Sequence, residues 1–168
     1  MSKFELIDTP LAGLKVIQRK VTEDDRGFFS RFFCAETFQD LGFDTSISQI
    51  NHTLTNAKGT VRGMHYQNHP YAEIKMVSCL KGKVFDVAVD VRKGSSTFLH
   101  WYAEELSSDN NRSLLIPKGF AHGFQTLTDD CEMLYFHTTD YNIKAEGTIS
   151  ALDQRLKIQW PKIITEQS

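Results

Sequence analysis

The strongest constraint on the fold of this chain is a two-residue alternation that recurs in several segments. In KVFDVAVDV (83–91), Phe85 and three valines alternate with Asp86, an alanine and Asp90. Successive side chains of a β-strand point to opposite faces, so this segment predicts a strand with one apolar and one polar face. Further segments also predict strands: EIKMVSCL, FLHWYAEEL, RSLLIPKGF and EMLYFHTTDY.

Short turn signals separate these strands, at LKGK, RKGSS and SSDNN. AETFQDLGF (35–43) predicts a helix that Gly42 would end, and ALDQRLKIQW (151–160) fits either a helical turn or a strand. Many short strands with few helices favour a sandwich or barrel. Because no linker or repeat divides residues 1–168, we expect one all-β domain, a jelly roll that can hold a ligand between its sheets.

Composition argues against several other classes of protein. The net charge of −2 makes nucleic acid an unexpected main partner. The cysteines Cys34, Cys79 and Cys131 are odd in number and far apart, which is typical of free thiols in a reducing compartment. No stretch has the roughly 20 consecutive apolar residues of a membrane span, and MSKFELIDTP lacks the apolar run of a signal peptide. We therefore expect a cytoplasmic protein with no membrane partner.

The segment TVRGMHYQ (60–67) places a histidine inside a predicted strand. A lone strand histidine is more often a hydrogen-bonded structural residue than a functional one. Strict alternation would put His65 and Arg62 on opposite faces. Gly63, however, predicts a β-bulge, which would let both side chains face the same way. The segment then pairs a base with an anchor for an anion.

Three further residues are candidates for chemistry. Lys75, taken alone, reads as a solvated edge lysine. His122, between glycines and phenylalanines in IPKGFAHGF, is equally well explained as a core histidine bonded to a carbonyl. Tyr135 is either a packing tyrosine or a proton donor. A histidine base, a tyrosine acid and a cation near an oxyanion together suit proton abstraction beside a carbonyl, on a substrate that carries phosphate.

The sequence offers no metal or cofactor motif. Metal-binding β-rolls use a His-x-His pair, but the residue two positions after His65 is Gln67, and a carboxamide is a poor ligand for Zn, Fe or Mn. GxGxxG, P-loop and G-x-S-x-G patterns are also absent from the sequence. We expect chemistry with neither a metal nor a cofactor, which disfavours a metal-dependent oxygenase.

Long motifs then make the chain recognisable. DDRGFF, QINHT, VRGMHYQ, KGKVFDVAVDVRKGSSTF, IPKGFAHGFQTL and EMLYFHTTDY, over about residues 24–161, resemble the dTDP-4-dehydrorhamnose 3,5-epimerase family. The resemblance implies a cupin-type jelly roll, a metal-free epimerase of nucleotide-linked deoxysugars, and a homodimer whose sites borrow residues across the interface.

The resemblance also implies residue roles. His65 matches the general base, Tyr135 the proton donor on the opposite side, and Lys75 and His122 match groups that contact the sugar and stabilise an enolate. The other matching positions bind the nucleotide or the sugar: Arg26 and Arg62 at the diphosphate, Tyr141 stacked on the thymine, and Gln49, Asn51 and Glu146 at further substrate contacts.

The chain departs from the family pattern at three places. Arg31 stands where a glutamate is usual, and Ile50 where an aspartate is usual. The aspartate that pairs with the base belongs to a C-terminal pattern that would begin where the sequence ends. We hypothesise that Asp86 or Asp90 replaces it behind His65, which requires one carboxylate within hydrogen-bond reach of the ring.

The resemblance thus implies epimerisation at C3 and C5 of a dTDP-linked 4-keto-6-deoxy sugar. One alternative is an epimerase that acts on C3 or C5 only, with Arg31 and Ile50 reshaping the sugar end of the site. Another is a non-catalytic protein that binds nucleotide sugars and lacks full turnover.

Overall fold

The computed structural model describes residues 3–40, 43 and 46–168. Within these residues the chain forms thirteen strands and one short helix, α1 (Ala35–Gln39), which lies between β4 and β5. The strands are β1 (Phe4–Asp8), β2 (Lys15–Arg19), β3 (Val21–Asp24), β4 (Gly27–Ser30), β5 (Gln49–Thr55), β6 (Val61–Gln67), β7 (Lys75–Lys81), β8 (Lys83–Asp90), β9 (Trp101–Ser107), β10 (Arg112–Ile116), β11 (Phe120–Thr126), β12 (Cys131–His137) and β13 (Glu146–Thr148).

The strands form two facing sheets and a separate hairpin. The six-stranded sheet has the order β1-β2-β10-β7-β12-β5, and the five-stranded sheet has the order β13-β6-β11-β8-β9. Neighbouring strands in both sheets are antiparallel, and β3 pairs with β4 alone. The predicted all-β jelly roll is therefore confirmed.

The core between the sheets explains why both faces of β8 are buried. Val84 and Ala88 point inward and pack with Phe124 and Leu114. Asp86 lies on this inward face and has no exposed surface, so the face predicted to be polar points into the core. The opposite face of β8 packs against a second, outer cluster. A fully buried aspartate needs hydrogen-bond donors around its carboxylate, and the inner cavity supplies them.

Two outer layers complete the packing. Phe38 of α1 and Phe43 cover the outer face of the six-stranded sheet, so α1 is held by aromatic packing although its N-cap residue, Cys34, makes no side-chain capping bond. The helix is shorter than predicted, and Gly42 lies outside the described residues. Residues 151–160 form turns instead of a regular element, and Leu156 and Trp160 pack on the five-stranded sheet.

The helical part of the described chain is too short to cross a bilayer: no helix there is both long enough and apolar enough.

Candidate active site

A cavity of about 210 Å³ lies between the two sheets. Both sheets contribute polar and titratable side chains to its wall, since inward-facing positions alternate along each strand. The six-stranded sheet supplies Asn51, Thr53, Lys75, Tyr135 and His137, the five-stranded sheet supplies Arg62, His65, His122 and Phe124, and Ser168 completes the lining.

A bulge at Gly63 brings Arg62 and His65 to the same cavity. His65 is opposite His122, but Arg62 is opposite Phe124, so two residues of β6 face one of β11. Gly63 has a φ of +116°, and a Cβ there would lie 2.6 Å from the carbonyl oxygen of His122. A side chain at this position would meet both backbone strain and a steric clash. The predicted bulge is confirmed, and with it the shared orientation of Arg62 and His65.

His65 is placed to act as a neutral base. Its side chain is partly exposed, and Nδ1 has no hydrogen-bond partner among the described residues. Glu146 Oε1 lies 3.5 Å from Nδ1, too far for a well-formed hydrogen bond. Burial lowers the pKa of His65 from its ordinary 6.5, and the charges of Lys75 and Arg62 act in the same direction while Glu146 opposes them. The imidazole is therefore predominantly unprotonated at pH 7.

His122 is paired with a buried carboxylate. Its Nε2 lies 2.9 and 3.0 Å from the two carboxylate oxygens of Asp86. Because a carboxylate only accepts, Nε2 carries the proton and the ring is held in one orientation. Burial raises the pKa of Asp86, and His122 partly offsets this effect. The expectation of a carbonyl partner for His122 is therefore wrong.

The hypothesis that Asp86 or Asp90 supports His65 is also wrong. Asp86 is engaged with His122, on the neighbouring strand. Asp90 accepts hydrogen bonds from the backbone and side chain of Arg92 and from the hydroxyls of Ser95 and Thr97. The register of the strands, with Phe124 opposite Asp86, brings that aspartate to the β11 histidine.

Lys75 is a buried cation. It begins β7, which lies inside the six-stranded sheet between β10 and β12, and its side chain is about one-tenth exposed. Its Nζ lies 3.1 Å from Glu73 Oε1. The interpretation as a solvated edge lysine is wrong, because Lys75 is covered on both sides by neighbouring strands. A cation in this position can stabilise negative charge that develops in the cavity.

Tyr135 faces the cavity from the six-stranded sheet, opposite the sheet that carries His65. Its ring packs edge-on against His122, with centroids 6.2 Å apart, and Thr53 Oγ1 donates to its hydroxyl at 3.4 Å. Burial raises the pKa of Tyr135 to about 12, although the Thr53 hydrogen bond opposes this shift. The phenol thus keeps its proton at neutral pH and can donate it. The cavity has a base on one wall and an acid on the other.

Three of the residues predicted to bind substrate lie beside the cavity, not in its lining. Gln49 Oε1 accepts from the backbone amide of Tyr141 at 3.1 Å, and Gln49 Nε2 donates to Asn51 Oδ1 at 3.1 Å. The Tyr141 hydroxyl donates to Glu146 Oε2 at 2.9 Å, and this tyrosine is about half exposed. These contacts join Asn51, Gln49, Tyr141 and Glu146 into one network next to His65.

Arg26 is not brought to the cavity of its own chain. It lies in the turn between β3 and β4, is 89% exposed, and its guanidinium bonds to Asp24. Ile50 also lies away from the cavity: it is on the outward face of β5, whereas Asn51 faces inward. Arg31 is exposed just after β4. Reshaping of the sugar end by Ile50 or Arg31 therefore has no direct geometric basis within one chain.

Sequence reasoning did not assign a role to His137, which lines the cavity beside Tyr135. The two rings are nearly parallel, at 18°, with centroids 6.2 Å apart. Its position two residues after Tyr135 is the signal, since the alternation of β12 puts both side chains on one face. Across the described residues, no group of three or more His, Cys, Asp and Glu side chains is arranged to hold a metal ion.

Comparison with known proteins agrees with this geometry. The family model for dTDP-4-dehydrorhamnose 3,5-epimerase matches residues 8–168. The enzyme of that name from Shigella flexneri is 42% identical over 159 residues, which cover 94% of this chain and 87% of the relative.

Solved structures give the same result. A dTDP-6-deoxy-D-glucose-3,5-epimerase from Legionella pneumophila, in complex with dTDP-4-keto-L-rhamnose, superposes with a TM-score of 0.93 at 40% identity, covering 98% of this chain and 88% of that one. ChmJ, a 3'-monoepimerase from Streptomyces bikiniensis in complex with dTDP-quinovose, gives 0.88 at 29% identity, covering 95% and 81%. The resemblance of the motifs is confirmed: the chain belongs to the dTDP-4-dehydrorhamnose 3,5-epimerase family.

Proposed function

We propose that this isomerase inverts C3 and C5 of a dTDP-linked 4-keto-6-deoxy sugar. The observation that carries the proposal is the placement of His65 and Tyr135 on opposite walls of one cavity. Inversion of a carbon requires that a proton leave on one face and return on the other. The relative from Legionella pneumophila, solved with dTDP-4-keto-L-rhamnose, supports the choice of substrate.

The chemistry follows from the state of each group. Neutral His65 removes the proton from a carbon next to the C4 ketone, and the electron pair of the broken C–H bond forms an enolate. The Lys75 ammonium stabilises the oxyanion at C4, while His122, held by Asp86 through Nε2, contacts the sugar with the part of its ring that lines the cavity. Tyr135 gives its proton to the opposite face of the carbon, and solvent exchange restores both residues. The same cycle at the second carbon completes the reaction without a metal or a cofactor.

The nucleotide is bound by a second set of residues. Arg62 reaches the cavity and offers a planar donor group for the diphosphate, Tyr141 offers an aromatic face for the base, and Gln49, Asn51 and Glu146 offer polar contacts. Arg26 completes the site from a partner copy, because it is exposed and remote from the cavity of its own chain. The protein would therefore work as a homodimer, in the cytoplasm where nucleotide sugars are made.

Deuterium uptake tests the proposal. The protein is incubated with dTDP-4-keto-6-deoxyglucose in D₂O, and the carbons that gain deuterium are counted by NMR. Deuterium at C3 and C5 supports the full activity. Binding of dTDP with no deuterium at either carbon rejects it in favour of a non-catalytic binding protein. Activity unchanged by EDTA is expected, and its loss would contradict the metal-free mechanism.

An epimerase that acts on one carbon is the second candidate. It is favoured by the similarity to ChmJ, a 3'-monoepimerase. The same experiment separates the two candidates, because deuterium would then appear at one carbon only.

A further inference from the structure

A second carboxylate–histidine pair lies in the wall that carries Tyr135. Glu73 Oε2 is 2.8 Å from His137 Nδ1, and Glu73 Oε1 is 3.1 Å from Lys75 Nζ. All three side chains are about nine-tenths buried. Lys75 and His137 are directly opposite each other on β7 and β12. One buried carboxylate thus holds two groups of the cavity wall.

The hydrogen bonds determine which nitrogen of His137 carries a proton. A carboxylate oxygen accepts only, so the Nδ1 proton points to Glu73. On the other side of the ring, the Asn51 amide nitrogen lies 3.4 Å from Nε2, while Asn51 Oδ1 is already bonded by Gln49. Asn51 therefore presents a donor to Nε2, which must accept. These two contacts hold the ring with its lone pair on Nε2.

The Asn51 bond leaves room for a better partner. At 3.4 Å it is longer than an ordinary hydrogen bond, and both residues line the cavity. A hydroxyl group that enters the cavity can donate a shorter bond to Nε2 without any change in the Glu73 pair. A ketone or a methyl group cannot donate, so this nitrogen distinguishes a hydroxyl from either group.

We propose that His137 binds substrate, with Nε2 accepting a hydrogen bond from a sugar hydroxyl next to the reacting carbons. The inference rests on the proposed function, since its substrate carries hydroxyls at C2 and C3. Tyr135 must reach the carbons of the sugar. Its phenol ring lies nearly parallel to the His137 imidazole, with the two centroids 6.2 Å apart. A sugar within reach of the phenol is therefore within reach of Nε2. Glu73 acts as a positioning residue that keeps the lone pair turned toward the sugar.

The test compares a ligand that has the sugar with one that lacks it. Titration calorimetry measures the affinities for dTDP-glucose, which has the hydroxyls but no ketone to react, and for dTDP. His137→Leu removes the acceptor at similar volume, and we expect its dTDP-glucose affinity to fall about tenfold while its dTDP affinity stays within about twofold. An unchanged ratio of the two affinities overturns the proposal. His137→Phe repeats the test if the leucine variant does not fold.

A second histidine–glutamate pair, which joins β5 to β12, provides the matched control. His52 Nε2 lies 2.9 Å from Glu132 Oε2, and this pair is on the outward face. His52→Leu should change neither affinity, and equal losses in the two leucine variants would show that the effect is not specific to the cavity.

Glu73→Gln separates direct contact from an effect through Lys75. It retains an acceptor for the Nδ1 proton and hence the Nε2 lone pair, so the loss of dTDP-glucose affinity should be smaller than in His137→Leu. Equal losses would assign the effect to Lys75 and overturn the proposal. If the wild-type protein introduced no deuterium into the sugar in D₂O, the proposed function would be rejected instead. The dTDP-glucose comparison would still test whether His137 binds the sugar.

Discussion

The cavity and the β3–β4 hairpin differ in how far one chain completes them. In the cavity, the groups proposed for catalysis come from both sheets, and two of them are held by carboxylates: Asp86 holds His122, and Glu73 holds Lys75. In the hairpin, Arg26 is 89% exposed and its side chain bonds only to Asp24 among the described residues. Phe28 and Phe29 beside it are more than half exposed.

This difference separates two tasks. Lys75 and His122 are preorganised in a buried wall, where a charge without a partner is unfavourable. The hairpin arginine, Arg26, is not buried in this way, so its contribution to binding depends on the surface that packs against the hairpin. Loss of a cavity group should therefore damage the chemistry of the chain that carries it, whereas loss of Arg26 should be repaired by a second copy that retains Arg26.

His65→Ala should give the largest effect. Removal of a general base costs about 10²–10⁴-fold in rate, so deuterium uptake should fall by about a thousandfold. The affinity for dTDP should stay within about twofold, because Arg62 and the hairpin remain. Calorimetry and NMR measure the two quantities on the same preparation. A matching loss of dTDP affinity would remove His65 from the role of base.

Asp90→Asn tests how burial changes the contribution of a local arrangement to stability, because the hairpin shares one hydrogen-bond pattern with the buried end of β8. Asp90 and Arg92, at the end of β8, form the same Asp-x-Arg hydrogen bonds as Asp24 and Arg26. Asp90 is fully buried and also binds two hydroxyls. Its replacement should lower the free energy of unfolding by about 2 kcal/mol, because bonds to a charged acceptor are lost.

Asp24→Asn is the control for this measurement. Urea denaturation should show no resolved change for the hairpin variant, since exposed pairs contribute little. Equal losses of unfolding free energy in the two variants would show that the Asp24 pair stabilises the hairpin as much as the Asp90 pair stabilises the end of β8. The proposed difference in support would then be wrong.

Arg26→Ala should weaken dTDP binding by roughly tenfold, as expected for a lost charged hydrogen bond, with no change in unfolding. Mixing this variant with His65→Ala then tests whether the hairpin acts across subunits. A mixed dimer has one site with both residues intact, so about a quarter of the wild-type activity should return at equal amounts of the two chains. No recovery after subunit exchange would place Arg26 in the site of its own chain.

Alternation within single segments was enough to predict strands such as β7, β8 and β12, and it placed Tyr135 and His137 on one face. Alternation alone would have separated Arg62 from His65, and the glycine at position 63 was the signal for the bulge that brings them together. What the sequence could not supply was the order of the strands. Lys75 reads as an edge lysine until β7 is known to lie inside a sheet.

Pairings between distant segments were out of reach for the same reason. Asp86 and His122 are 36 residues apart, and Glu73 and His137 are 64 apart. Their contacts depend on the register between strands, and a shift of one residue would turn each side chain to the other face. The sequence therefore singled out His65, which lines the cavity, but assigned Asp86 to the wrong ring.

Glu146→Gln should give the smallest effect on activity, and it tests how the charge of Glu146 acts on His65. His65 acts as a base only when neutral, so kcat/KM should fall as the pH drops through the pKa of His65. Burial lowers that pKa, so the acid limb should lie below 6.5. Glu146 raises the pKa of His65, and its replacement should move the limb to still lower pH. A pH–rate profile of both proteins measures the shift. A limb that moves upward would mean that Glu146 does not act on His65 through its charge, and that the 3.5 Å approach of its carboxylate to Nδ1 has no electrostatic consequence.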